Sequence, residues 1–91
     1  MEGFDWDEAN KKKNWVKHKV LVKETEQVFF DKHLVIAKDP KHSLIEKRYS
    51  ALGATKRHRR LAIFFTIRGK MIRIISARDQ SKKERKKYEK A

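Results

Sequence analysis

The side chains best suited to chemistry in this sequence are arginines on alternating strand positions. Arg68-Gly69-Lys70-Met71 has Gly first in a two-residue loop, which suits a type II′ hairpin. That turn sets a register: Arg68 opposite Met71, Ile67 opposite Ile72, Thr66 opposite Arg73, Phe65 opposite Ile74 and Phe64 opposite Ile75. Side chains alternate across a strand, so Leu61, Ile63, Phe65, Ile67, Ile72 and Ile74 share a dry core face. Each buried side chain there contributes roughly 1.5–3 kcal/mol. The other face holds Ala62, Phe64, Thr66, Arg68, Met71, Arg73, Ile75 and Ala77. A guanidinium fork presents several donors to phosphate oxygens, and Phe64 offers a stacking surface for a base. Two readings stand. Either Arg68, Arg73 and Thr66 line a basic groove with apolar walls, or the arginines pair with acidic residues of the N-terminal half.

Other candidates are scattered. His18 has an intrinsic pKa near neutrality and so suits acid–base work, or it is a structural histidine at a helix end. Arg78 falls on the core face by strict alternation, so a bulge or the strand's end must turn it outward if it is to join Arg68 and Arg73. The alternative for Arg78 is an ion pair with a nearby helix. Tyr88 is the only aromatic residue in a charged C-terminal stretch. It either docks that stretch or reaches the groove. Lys17 and Arg48 are phosphate contacts or ordinary surface charge. His33, His42 and His58 lack the spacing of a metal site, and no metal or other cofactor is expected.

The distribution of charge says what such a surface would meet. The chain has 91 residues and a formal charge of +13. Residues 1–46 carry nine basic and nine acidic side chains, whereas residues 47–91 carry sixteen and three. The whole excess lies in one half, which calls for a polyanion. Nucleic acid is the first choice and an acidic protein partner the second. There is no cysteine, so disulfides and thiolate metal sites are excluded. The acidic N-terminus lacks the apolar segment of a signal peptide, and the apolar run at residues 61–65 is too short to span a bilayer. A single cytoplasmic domain over residues 1–91 is expected, with no membrane partner.

The elements that must position these groups can be read coarsely. Asp5 with Glu8 three residues later resembles a capping box, opening a helix that runs to His18 with Trp6, Ala9, Val16 and Val20 inward. A second helix at residues 23–30 would bury Val28, Phe29 and Phe30. Strands are expected at residues 34–37, ended by Asp39-Pro40, and at 48–53, 61–68 and 71–78. Ser81 and Glu84 form another capping box, opening a last helix to about residue 90. The expected class is α+β: N-terminal helices, a four-stranded antiparallel sheet and a C-terminal helix.

Taken in order, Phe4-x-Trp6-Asp7, Asn14-x-x-Lys17-His18, Asp39-Pro40, the run Arg73-Ile74-Ile75-Ser76-Ala77-Arg78 and Glu84-Arg85-x-x-Tyr88-Glu89 resemble the BrnT family from end to end. The resemblance implies a RelE-like fold and a type II toxin: a metal-independent endoribonuclease that blocks translation and growth. It also implies a BrnA-like antitoxin with a ribbon-helix-helix domain, a 2:2 heterotetramer, and operator DNA bound through the antitoxin. Metal-free RNA cleavage needs a base for the 2′-hydroxyl proton, an acid for the 5′-oxygen, and cations at phosphorus. His18, Arg68, Arg73, Arg78 and Tyr88 are the catalytic candidates; Lys17, Arg48, Phe64 and Thr66 are candidate RNA contacts. One departure concerns the helix end. The family has Gly after the Lys-His pair, whereas here Lys19 follows, at a cost of roughly 1 kcal/mol in a left-handed conformation. Leu21 and Val22 also replace a small residue and a Phe, so a differently shaped junction is expected. Two rival readings are a non-catalytic RNA- or ribosome-binding module and a protein that binds only an acidic partner.

Overall fold

The structure is a computed structural model, and it describes residues 3–39 and 46–90. In chain order the elements are β1 (Gly3–Asp5), α1 (Glu8–His18), α2 (Val22–Val28), β2 (Val35–Lys38), β3 (Tyr49–Ala54), β4 (Arg60–Arg68), β5 (Met71–Asp79) and α3 (Lys82–Glu89). The strands form one five-stranded sheet in the order β1-β5-β4-β3-β2. The class is α+β as expected, but the sheet is not the four-stranded antiparallel one. Gly3, Phe4 and Asp5 pair in parallel with Met71, Ile72 and Arg73, making the sheet mixed. Asp5 therefore lies in a strand, and the cap of α1 is Asp7, which accepts the Ala9 N–H at 2.8 Å.

β4 and β5 follow the predicted register from Arg68–Met71 to Phe65–Ile74. Gly69 takes φ +60° as the loop's first residue, while Lys70 stays out of the positive region, matching a type II′ turn. The register then shifts: Phe64 pairs with Ser76 rather than Ile75. This bulge inserts Ile75 as an extra residue and exchanges the faces of everything beyond it. Ala77 moves into the core, fully buried, and Arg78 turns to the outer face opposite Ala62.

The core is built from Val20, Val28, Ala51, Leu61, Ile63, Phe65, Ile72, Ile74 and Ala77. α2 closes it by approaching β3 closely, since a Cβ on Gly53 would lie 2.8 Å from Val28 Cγ1. Phe29 packs edge-on to both Phe4 and Phe65. Outside α1, two apolar expectations fail. Ile67 is 44% exposed, being beyond the helices at the hairpin tip, and Phe30 is 79% exposed because α2 ends at Val28.

α1 packs through polar atoms instead of an apolar stripe. Asn10 Nδ2 and Lys13 Nζ donate to the Ile74 and Ile75 carbonyls, and Asn14 Oδ1 accepts the Ala77 N–H at 3.1 Å. These residues, three and four apart on one helix face, occupy the edge of β5 where β1 has ended. Trp15 and Val16 therefore face outward, at 47% and 60% exposure. The helix ends with Lys19 at φ 53°, ψ 40°, so the left-handed junction persists without glycine. Lys19 N–H bonds to Trp15 O at 2.9 Å and Val20 N–H to Asn14 O at 3.2 Å. Asp39 N–H donates to Arg48 O at 2.8 Å, while Pro40 and His42 lie outside the described residues.

Candidate functional site

The hairpin face does not hold free arginines. Arg68 Nε donates to Glu46 at 3.0 Å, and Arg73 reaches Asp5 at 3.2 Å and Asp7 at 3.4 Å. Two guanidinium groups thus meet three carboxylates, so neither arginine of the expected groove is free. The Arg68 fork is the main cause holding the Glu46 carboxyl below its ordinary range. Thr66 is buried and donates to the Lys47 carbonyl at 2.8 Å, so its hydroxyl is committed to the chain. Arg48 is half-buried and engaged.

Arg78 forms a separate cluster. It lies opposite Ala62, six residues along β4 from Arg68, or roughly 20 Å at strand rise. Arg68 and Arg78 cannot grip one phosphate. The bulge sets the Arg78 guanidinium 5.1 Å from the Phe64 ring centroid. Its fork is closed on Glu84 at 2.7 and 2.9 Å. Burial opposes charge on Glu84, but the bonds from Arg78 and Ser81 outweigh it and hold the carboxyl below its ordinary range. Ser81 and Glu84 also form the predicted capping box. The ion-pair reading of Arg78 is the one the geometry supports.

His18 lies at the end of β5, close enough to Asp79 to interact with it electrostatically. Its carbonyl accepts from Arg59 at 3.0 Å, and Arg59 also grips Asp79, Glu24 and the Lys19 carbonyl. Arg59 thereby ties the α1–α2 junction to the ends of β4 and β5. Among the described residues no hydrogen bond joins His18 to Arg68, Arg73 or Arg78. Lys17 is exposed on α1.

Tyr88 docks α3. Its hydroxyl donates to Asp31 Oδ2 at 2.5 Å, and Asp31 also accepts the Ala54 and His33 N–H groups at 2.8 and 3.0 Å. Burial and the Asp31 bond push the phenol up to about 12, so it keeps its proton at neutral pH. Asp31 is held below its ordinary range: burial opposes its charge, and these hydrogen bonds prevail.

Tyr88 borders a feature that spacing did not reveal, a cleft of about 630 Å³ between α2, the β3–β4 turn and α3. Such a volume lies within the roughly 300–1,000 Å³ of small-ligand sites. Lys23 and Phe30 line it from α2 and its end, His33 from the following loop, and Lys56 and His58 from the turn. Its two carboxylates are taken by neutral donors: Glu26 accepts from the Trp6 indole at 2.8 Å, and Asp31 is held as described. Among the described residues, Lys23 and Lys56 have no carboxylate partner and neither imidazole is hydrogen-bonded. The same residues include no group of three or more His, Asp or Glu that could hold a metal ion. His33 and His58 are twenty-five positions apart, so only the docking of α2 on β3 brings them to one cleft. No sequence signal pointed to the cleft, since Phe30 continues the apolar run of Val28 and Phe29.

Comparison with known proteins decides the family. The family model of BrnT, the ribonuclease toxin of type II toxin–antitoxin systems, matches residues 6–84. The chain belongs to the BrnT family. The crystal structure of the Brucella abortus ribonuclease toxin BrnT superposes with a TM-score of 0.67 at 21% identity, covering 90% of this chain and 100% of that one. At that identity the likeness establishes a shared BrnT fold. No curated protein matches the chain. The BrnT span contains the cleft residues from Lys23 to His58, while Tyr88 lies beyond it.

Proposed function

We propose that this BrnT-family chain is a metal-independent endoribonuclease toxin that binds single-stranded RNA in the cleft between α2 and the β3–β4 turn. The observation that carries the reading is the contrast between two surfaces. On the hairpin face, Arg68 and Arg73 have carboxylate partners, whereas Lys23 and Lys56 stand in the cleft without one. A phosphate entering the cleft displaces no ion pair. Phe30, 79% exposed, supplies the ring on which a base stacks, a contact worth about 1–3 kcal/mol. The +13 charge favours encounter with RNA.

Cleavage of RNA would block translation and growth in the cytoplasm. Among the described residues no helix is long and apolar enough to cross a membrane. The toxin–antitoxin family implies a neutralising partner. We take this partner to be a BrnA-like ribbon-helix-helix protein in a 2:2 complex that binds operator DNA through the antitoxin.

The test is incubation of purified protein with RNA in EDTA. Cleavage that survives chelation and is weakened in Phe30→Ala and Lys56→Gln supports the reading. Binding without cleavage indicates a non-catalytic RNA- or ribosome-binding module. Loss in Arg73→Ala with the fold intact, while Lys56→Gln stays active, returns the site to the hairpin.

A further inference from the structure

We infer that His33 and His58 are the acid–base pair of the cleft, acting on a phosphodiester of single-stranded RNA. The inference rests on the ribonuclease reading above and assigns the groups that move protons within it. The two imidazoles come from different elements, line one cavity and have no hydrogen-bond partner among the described residues. Both rings are exposed to solvent at the mouth of the cleft, where an incoming phosphodiester meets them without breaking a protein hydrogen bond.

The backbone supplies a second, independent observation. His58 has φ +68°, in the left-handed region that L side chains avoid. Non-glycine residues persist there when the surrounding structure enforces it, and they concentrate at functional sites. The turn enforces it: His58 N–H bonds to Thr55 O at 2.9 Å, Thr55 N–H to Arg59 O at 2.9 Å and Arg59 N–H to Thr55 Oγ1 at 3.2 Å. Glycine would satisfy this backbone without strain, and it would leave the cleft without its second imidazole.

Charge assigns the roles. Facing His33 are Asp31, whose Oδ1 accepts the His33 N–H at 3.0 Å, with Lys23 and Glu26 from α2 and Tyr88 from α3. We assign His33, which stands beside the Asp31 carboxylate, the role of proton donor to the leaving oxygen. His58 shares the cleft with Lys56, and it also lines a neighbouring depression with Arg60, Asp79 and Arg85. Asp79 is paired with Arg59 at 2.8 Å, so no free carboxylate competes for the His58 ring, and we assign His58 the role of base.

The reaction balances without water or a further reactant. His58 takes the 2′-hydroxyl proton as that oxygen bonds to phosphorus. The bond from phosphorus to the 5′-oxygen breaks, and His33 gives its proton to the departing oxygen. The products are a 2′,3′-cyclic phosphate and a 5′-hydroxyl. The ammonium groups of Lys23 and Lys56 stabilise charge on the non-bridging oxygens.

The experiment is steady-state cleavage of a short single-stranded RNA in EDTA across pH, with end-group analysis of the products. Wild type should show a bell-shaped kcat/KM profile and 2′,3′-cyclic ends. His33→Gln and His58→Asn, the latter tolerant of positive φ, should each lower kcat about 100-fold or more, with KM little changed. Each should remove one limb of the profile. Phe30→Ala should instead raise KM, and Lys56→Gln should lower kcat/KM while leaving both limbs of the profile in place. If either variant folds poorly, His33→Ala with imidazole added to the assay reads the same role, and restored cleavage supports it. Wild-type kcat in both histidine variants overturns this inference and leaves the ribonuclease reading standing. A wild type that binds RNA but never cuts it overturns both.

Discussion

Gly53→Ala tests the contact on which the cleft is built. An added Cβ would lie 2.8 Å from Val28 Cγ1, 3.1 Å from Val28 O and 3.3 Å from Asp31 Oδ2. Carbon atoms prefer about 3.5–4.0 Å, so α2 must retreat by roughly 1 Å. Two of the three atoms offer little relief, because one is a backbone carbonyl and another is held by Tyr88. Overpacking of this kind costs about 1–3 kcal/mol. Replacing Gly by Ala at an ordinary φ returns about 0.4–1 kcal/mol through the unfolded chain. The clash should therefore win, leaving the variant destabilised by about 0.5–2 kcal/mol. For a domain of this size that is a Tm lowered by several degrees, at about 4–8 °C per kcal/mol. Urea unfolding measures the loss directly. Adding Val28→Ala removes the shortest contact, so the double variant should be more stable than the two single losses sum to, by about 0.5 kcal/mol or more. A Gly53→Ala protein as stable as wild type refutes the close approach. It would also remove the reason for His33 and His58 to share a cavity.

Three further outcomes are expected. Asn14→Leu strands the buried Ala77 N–H and should cost about 1–3 kcal/mol in urea unfolding, and a change below about 0.5 kcal/mol would show that α1 does not hold β5 through this bond. Arg59→Lys keeps the charge but loses a fork serving Asp79, Glu24 and two carbonyls, so it should lower Tm measurably, and an unchanged Tm would contradict the tie between the α1–α2 junction and the sheet. Tyr88 and Asp31 set opposite pH limits on α3. Asp31 is held below 3.8, so its contribution is present above that value and lost as pH falls through the lower folded value. Tyr88 is pushed from 10.0 to about 12, so its contribution is present below 10.0 and lost as pH rises towards 12. Tyr88→Phe should flatten the alkaline limb of a stability–pH curve, and an identical limb in the variant would rule out this assignment.

The readable part of the fold was local. The hairpin register from Arg68 to Phe65 follows from one turn glycine and alternation, and the Ser81–Glu84 box from a spacing of three residues. The bulge at Phe64/Phe65 was not readable, because Ile75 is apolar and continues the pattern that it breaks. α1 misled for a related reason. Its inward stripe is Asn10, Lys13 and Asn14, residues chosen to satisfy the edge of a strand sixty positions away, while Trp15 and Val16 face solvent.

A single carboxylate decides between the two readings of Arg73. Asp5 with Glu8 fits a capping box as well as any helix start, and placing Asp5 on a helix leaves Arg73 available for phosphate. Three residues of β1 are too few to show alternation, yet their parallel pairing sets Asp5 opposite Arg73 and delivers the cap at Asp7 to the same guanidinium. The sign of the hairpin's surface thus turns on a two-residue shift of one cap. The cleft was hidden by the opposite circumstance. Its lysines and histidines carry no motif, and what distinguishes them is that Glu26 and Asp31 are already occupied by Trp6 and Tyr88. Whether a cation is free to bind a ligand depends on where every nearby carboxylate is spent, and that is a property of the tertiary structure alone.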